Sequence, residues 1–110
     1  MQVQAITKNV RMSAQKVREV TRQIQGMPAL QAQAVLSFVP RKSARLIAKT
    51  LQSALANAEH NHGLKAEALK VSQAVADRAV MFKRFVPKAR GSAGPILKRH
   101  CHIKIILSDE

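Results

Sequence analysis

His100, Cys101 and His102 are the residues in this chain whose types most invite chemistry, since imidazole and thiol are metal ligands and nucleophile–base partners. Their spacing works against it. If the segment is a strand, His100 and His102 share one face and Cys101 points to the other, so the three cannot converge. No Asp or Glu lies nearby in sequence to orient either ring. Cys101 instead continues the apolar row of Ile103 and Ile105 and reads as a small buried hydrophobe. His60 and His62 sit in a stretch with no obvious further ligands. Gly91 to Gly94 has neither the Lys-Ser/Thr of a phosphate-binding loop nor the glycine spacing of a dinucleotide site. Six acids in all leave little for acid–base work. These residues point to no enzyme, no cofactor and no metal.

The chemistry the chain does offer is cationic. Lys and Arg number 19 against 6 Asp and Glu, a net charge of +13. The charges are also segregated. Residues 1–58 hold Lys8, Arg11, Lys16, Arg18, Arg22, Arg41, Lys42, Arg45 and Lys49 against Glu19 alone. Between Asp77 and Asp109 there is no acid, yet Arg78, Lys83, Arg84, Lys88, Arg90, Lys98, Arg99 and Lys104 fall there. A solvated surface mixes signs so that neighbours compensate. Two long segments of one sign call for a polyanion, and nucleic acid alone offers charge at such density. An anionic membrane surface fits less well, because the basic stretches lack Trp and a strong apolar face.

Composition narrows the class further. Apolar residues make up 46% of 110 residues, too many for a disordered tail, but 17 of them are Ala and there is no Trp or Tyr. The core is thin, and the charge repels itself in the compact state. One cysteine excludes an internal disulfide framework. No apolar run approaches the ~18 residues of a membrane span, and the first residues lack the apolar stretch of a signal peptide. The expectation is one soluble, cytoplasmic domain over residues 1–110, with no membrane partner.

The elements that must carry these charges are legible in part. Gln2 to Val10 is β-branched and reads as a strand. Ser13 suits the N-cap of a helix to about Gln25, with Gly26 as its stop and Val17, Val20, Thr21 and Ile24 on the inner face. Met27-Pro28 opens a second helix with apolar positions Leu30, Ala34, Val35 and Phe38, ended by Val39-Pro40. A third, about Arg41 to Glu59, gathers Ile47, Leu51, Ala54, Leu55 and Ala58 on one side at about 100° per residue. Lys42, Arg45 and Lys49 fall opposite, with no acid to pair with. His60 to Gly63 reads as a turn. Leu69 to Ala76 reads as a half-buried strand with Leu69, Val71 and Val75 inward. Cys101, Ile103, Ile105 and Leu107 alternate with His100, His102 and Lys104 in another strand. The fold class is α+β, three helices packed on one face of a small antiparallel sheet.

Residues 80–102 stand apart. Pro87 to Pro95 is turn material and both flanks look extended, so the segment reads as a β-hairpin arm with Lys88 to Gly94 at its tip. Flanks of seven or eight residues reach about 25 Å, against a radius of gyration of about 13 Å for a domain this size. The hairpin must project. It carries six cations and no acid, interleaved with Phe82, Phe85, Val86, Ile96 and Leu97. A lone two-stranded ribbon is marginal in water. Folded RNA is anionic and deep enough to cover both faces. An architectural DNA-binding protein with a β-ribbon arm is the alternative, but such proteins need a large dimer interface that this alanine-rich chain does not supply. A free RNA chaperone is a second alternative.

SAQKVR at Ser13 to Arg18, ALANAEHN at Ala54 to Asn61, Lys83-Arg84, Pro87-Lys88-Ala89-Arg90-Gly91, ILKR at Ile96 to Arg99 and His102-Ile103 resemble the bacterial ribosomal protein L-twenty-two family of the large subunit. The similarity covers nearly the whole chain in order. It implies a body near the exit of the nascent-peptide tunnel, a hairpin running inward through ribosomal RNA, and a tip forming part of the tunnel wall. It further implies contacts with several RNA domains and with neighbouring large-subunit proteins, a monomer within the ribosome, and a part in early assembly. On this resemblance Lys83, Arg84, Lys98, Arg99 and His102 are RNA contacts of the shafts. The charge pattern adds His100 beside them and Lys8, Arg11, Lys16, Arg18, Arg22, Lys42, Arg45 and Lys49 on the body as expected RNA contacts. Pro87, Lys88, Ala89, Arg90, Gly91, Ser92 and Ala93 form the tunnel-lining tip, facing the nascent polypeptide. Many relatives follow the equivalent of Gly91 with a basic residue, Ala, an acid and another basic residue. This chain has Ser92-Ala93-Gly94-Pro95 there, without those two cations and that anion.

Overall fold

The apolar row Cys101, Ile103, Ile105 and Leu107 builds the centre of the sheet, and all four side chains are fully buried. The computed structural model describes residues 2–87, 91 and 93–109, of which 80, 83–87 and 93–96 are described by their backbone alone. In chain order it runs β1 (Gln2–Val10), α1 (Ala14–Ile24), α2 (Ala29–Phe38), α3 (Lys42–His62), a 3-10 turn at Ala66–Ala68, β2 (Lys70–Pro87) and β3 (Ala93–Ser108). The strands pair antiparallel in the order β1-β3-β2, so the last strand in sequence is the central one. Three helices on a small antiparallel sheet is the α+β architecture expected.

Helix α1 buries Val17, Val20, Thr21 and Ile24, the face its spacing predicts. Ser13 holds the N-cap position with extended backbone, although its side chain makes no cap bond. Gly26 takes φ 81° and gives its N–H to the Val71 carbonyl at 2.8 Å, tying the end of α1 to the sheet. In α3, Ile47, Leu51, Ala54 and Ala58 are fully buried, while Leu55 is half-buried. This helix runs to His62, so the expected turn at His60 to Gly63 is its last turn. The stop is Gly63 at φ 64°, where the N–H groups of Gly63 and Leu64 return to the carbonyls of Glu59 and Ala58.

Two apolar faces differ from expectation. Helix α2 buries Ala29, Ala32 and Leu36, leaving Leu30 and Phe38 exposed, Ala34 exposed and Val35 half-buried. Its apolar residues lie all round the helix, so periodicity cannot choose a face; docking against β2 and α3 chooses it. In β2 the pairing with β3 shifts between Val71 and Gln73. This bulge puts Ala74 and Ala76 inward and leaves Val75 half-buried. A matching shift in β1 lies between Thr7 and Val10, where Asn9 adopts φ 56°. It returns Val10 to the inner face alongside Val3 and Ala5.

The strand Leu69 to Ala76 and the arm are one element. β1 pairs with β3 only between Ser108 and Cys101, whereas β2 continues its ladder to Pro87↔Ala93. From Arg78 to Pro87 the sheet is therefore two-stranded, about 30 Å of ribbon. The molecule measures 62 × 25 × 17 Å with a radius of gyration of 17.0 Å, against about 13 Å for a compact domain of this length.

Candidate nucleic-acid interface

The cations gather where the ribbon leaves the body. Val10 ends β1, the Met12 N–H returns to its carbonyl at 2.8 Å, and α1 starts at Ala14. That tight turn sets Arg11, Met12, Ser13 and Lys16 against the start of α3 and the shaft of β3. Together they line a groove with Lys42, Leu97, Lys98 and Arg99. On the other side of the same junction a cleft of about 270 Å³ is lined by Ala14, Gln15, Arg18, Arg78, Ala79, Met81, Leu97, Arg99 and His100. A third groove, between the end of α2 and the start of α3, holds Phe38, Arg41, Lys42 and Arg45. Leu97 and Arg99 are common to the first two, and Lys42 to the first and third, so the three form one continuous tract.

Among the described residues no acid lines any of the three. Glu19 forms an ion pair with Arg41 at the margin. The α3 N-terminus adds to the positive field: its first turn carries no acid and Arg41 at the N-cap makes no side-chain cap bond. Grooves walled by low-dielectric protein and lined by one sign of charge focus potential and concentrate counter-ions. The arrangement suits a chain of phosphates rather than a small acid.

The sequence-nominated residues divide by place. Arg11, Lys16, Lys42, Lys98 and Arg99 share the first groove; Arg18 and His100 join Arg99 in the cleft; Arg45 lies in the third groove. Lys8, Arg22 and Lys49 are exposed and line none of these grooves. Arg22 stands in the last turn of α1, where a cation also complements the helix dipole. The side chains of Lys83 and Arg84, and the whole of Lys88, Ala89, Arg90 and Ser92, lie outside the described residues. Pro87 and Ala93 pair across the end of the ladder, and Gly91 adopts φ 75°.

Some of these groups already serve the fold. Arg18 donates from Nε to the Ala76 carbonyl at 3.0 Å, and Gln25 donates from Nε2 to the Ala74 carbonyl at 2.7 Å. With the backbone bonds from Gly26 and Ala29 to Val71 and Leu69, they occupy the outer edge of β2 within the body. His102 accepts the Asn9 N–H on Nδ1 at 3.1 Å, which pins the β1 bulge and leaves Nε2 as the nitrogen able to face a ligand. The rings of His100 and Phe82 meet edge to face at 5.4 Å between centroids and 86°. Arg78 belongs to the tract; the sequence counts it in the acid-free run after Asp77, but nothing in its spacing marked it as a contact. Phe38 was missed because a large apolar side chain on a helix with no polar face reads as core.

Cys101 is fully buried. Burial pushes its thiol pKa up, and the nearby Arg18 charge only partly offsets this. It is on the opposite face from His100 and His102, as alternation requires. Among the described residues no cluster of three or more His, Cys, Asp or Glu could hold a metal. Among them, too, no helix is long and apolar enough to cross a membrane.

Residues 5–108 match the family described as "Ribosomal protein L22p/L17e". The large ribosomal subunit protein uL22 of Opitutus terrae is 52% identical over 109 residues, covering 99% of this chain and 96% of that protein. The protein of the same name from Methylacidiphilum infernorum is 52% identical over 110 residues, covering 100% and 96%. That of Finegoldia magna is 49% identical over 109 residues, covering 99% and 97%. A projecting two-stranded arm, an acid-free cationic tract at its root and near-complete coverage at half identity converge on one conclusion: the chain belongs to the L22p/L17e family of ribosomal proteins.

Proposed function

We propose that this protein is a structural constituent of the large ribosomal subunit in the cytoplasm and acts by binding large-subunit ribosomal RNA, with no enzymatic step. The observation that carries this is the acid-free tract running from Arg45 through Lys42, Arg11, Lys16, Lys98 and Arg99 to Arg18 and Arg78. Phosphates of RNA occupy these grooves, while Lys8, Arg22 and Lys49 add longer-range attraction. The arm, residues 80–102, runs into folded RNA. Lys83, Arg84, Lys98 and Arg99 meet phosphates along its shafts, and His100 and His102 reach RNA from the same strand. Phosphate contacts set position and affinity. Residues 87–93 at the tip form wall of the nascent-peptide path, and neighbouring large-subunit proteins flank the body. Neutralising the +13 charge also removes the self-repulsion of a thin-cored fold, which links binding to stability and to early assembly.

Sedimentation tests this. In a lysate gradient at high salt the chain should co-migrate with the large subunit. Recovery in the light fractions instead would indicate a free RNA chaperone, and a stable dimer of the free protein would favour the architectural DNA-binding alternative.

A further inference from the structure

Phe38 is the most exposed large apolar side chain among the described residues, at 85%. It is the last residue of α2, and the extended Val39 that follows ends the helix. The chain then re-enters helix at Lys42, which brings Phe38 into one groove with Lys42 and Arg45, both exposed and one turn apart on α3. Arg41 completes the rim, tied to Glu19. Among the described residues no acid lines the groove.

An aromatic face ringed by cations is poorly matched to an apolar protein surface, which would dehydrate Lys42 and Arg45 without supplying a counter-charge. The other large exposed apolar residue of α2, Leu30, does not line this groove. Leu36, Val39, Pro40 and Ala48 also line it, but Leu36 is buried and Val39 and Ala48 are half-buried. Among the described residues Phe38 is thus the one large apolar side chain exposed there. A nucleotide matches both features at once: its base has a π-face and its phosphates are anionic. RNA loops and bulges present unstacked bases that settle on aromatic side chains. Such stacking is tolerant of base identity, and Phe offers no hydrogen bond that would select one.

We propose that Phe38 is a stacking platform for an unpaired base of the bound RNA, with Lys42 and Arg45 on the phosphates that flank that base. This rests on the RNA-binding function proposed above and adds a contact to the base itself, where the rest of the tract meets phosphates.

The test uses the full chain and a large-subunit ribosomal RNA transcript. Phe38→Leu keeps an apolar side chain but no ring, and should weaken binding about fivefold or more, while Phe38→Tyr should stay within about twofold of the parent. The salt dependence should be the same in both, because no charge changes. In Phe38→Trp, emission should be quenched when RNA is added. Full binding by Phe38→Leu would overturn the stacking contact. So would a Trp emission that shifts to the blue without quenching as subunits assemble, which would place an apolar protein neighbour there. Salt-sensitive binding with an unquenched Trp sinks the stacking contact alone, whereas no RNA binding by the parent chain sinks the proposed function beneath it.

Discussion

Replacing Lys42, Arg45 and Lys49 with Gln separates electrostatic binding from folding. All three side chains are exposed, and they lie opposite Ile47, Leu51, Ala54 and Ala58, which are fully buried. The substitutions remove three charges, taking the net from +13 to 13 − 3 = +10. If each contacts a phosphate, the slope of log K against log salt should flatten by about 2.1 to 2.7, at roughly 0.7 to 0.9 per contact. Referred to 1 M salt, where the counter-ion contribution vanishes, that is a loss of about two orders of magnitude in affinity at 0.15 M. Filter binding to large-subunit RNA across a salt series measures both quantities. The structure refines the expectation: Lys42 and Arg45 line the tract and Lys49 does not, so the double variant should carry most of the effect. Circular dichroism should be unchanged, and the free variant should melt no lower than the parent because self-repulsion falls. An unchanged salt slope, or lost helicity, would refute the reasoning.

The fold and the arm give further expectations. Ile103→Ala empties the fully buried centre of β3 and should cost about 2–5 kcal/mol in urea unfolding; a loss below about 1 kcal/mol would mean that the thin core collapses around the gap. Arg18→Gln removes the bond to the Ala76 carbonyl and should destabilise the free protein by about 1 kcal/mol or more. Lys16→Gln, on an exposed face of the same helix, should stay within about 0.5 kcal/mol. Since burial raises the Cys101 pKa, the unfolded chain gives up the thiol proton more readily than the folded one. Its contribution is thus complete below the unfolded thiol's pKa and is lost as pH rises through the folded value. The stability of the parent should fall at alkaline pH more than that of Cys101→Ala, and alkylation of the folded chain should be slow. Deleting Ala89 to Ala93 should leave incorporation into large subunits nearly intact and alter a nascent-chain stalling reporter, whereas glutamine at Lys83, Arg84, Lys98 and Arg99 should impair assembly. Equal defects in gradient profiles would refute that division of labour.

Local signals decided much of this protein from its sequence alone. The inner face of α1, the lysine–arginine face of α3 and the buried row from Cys101 to Leu107 follow from periodicity, and the β1 limits at Gln2 and Val10 from its β-branched composition. The acid-free run after Asp77 marks the anionic partner before any fold is known, since charge density does not depend on folding. Tertiary structure decided the rest. The buried face of α2 was undetermined because apolar residues surround the helix, and packing alone turned Phe38 outward. The inward phase of β2 depends on a bulge near Val71, and a register shift leaves no mark in a pattern of side chains. Which cations converge depends on the turn at Arg11 to Ser13 and on β3 passing between β1 and β2, contacts that join residues more than eighty positions apart. Sequence spacing carries information over one helical turn or one strand; beyond that range, only packing of the elements sets where a charge stands.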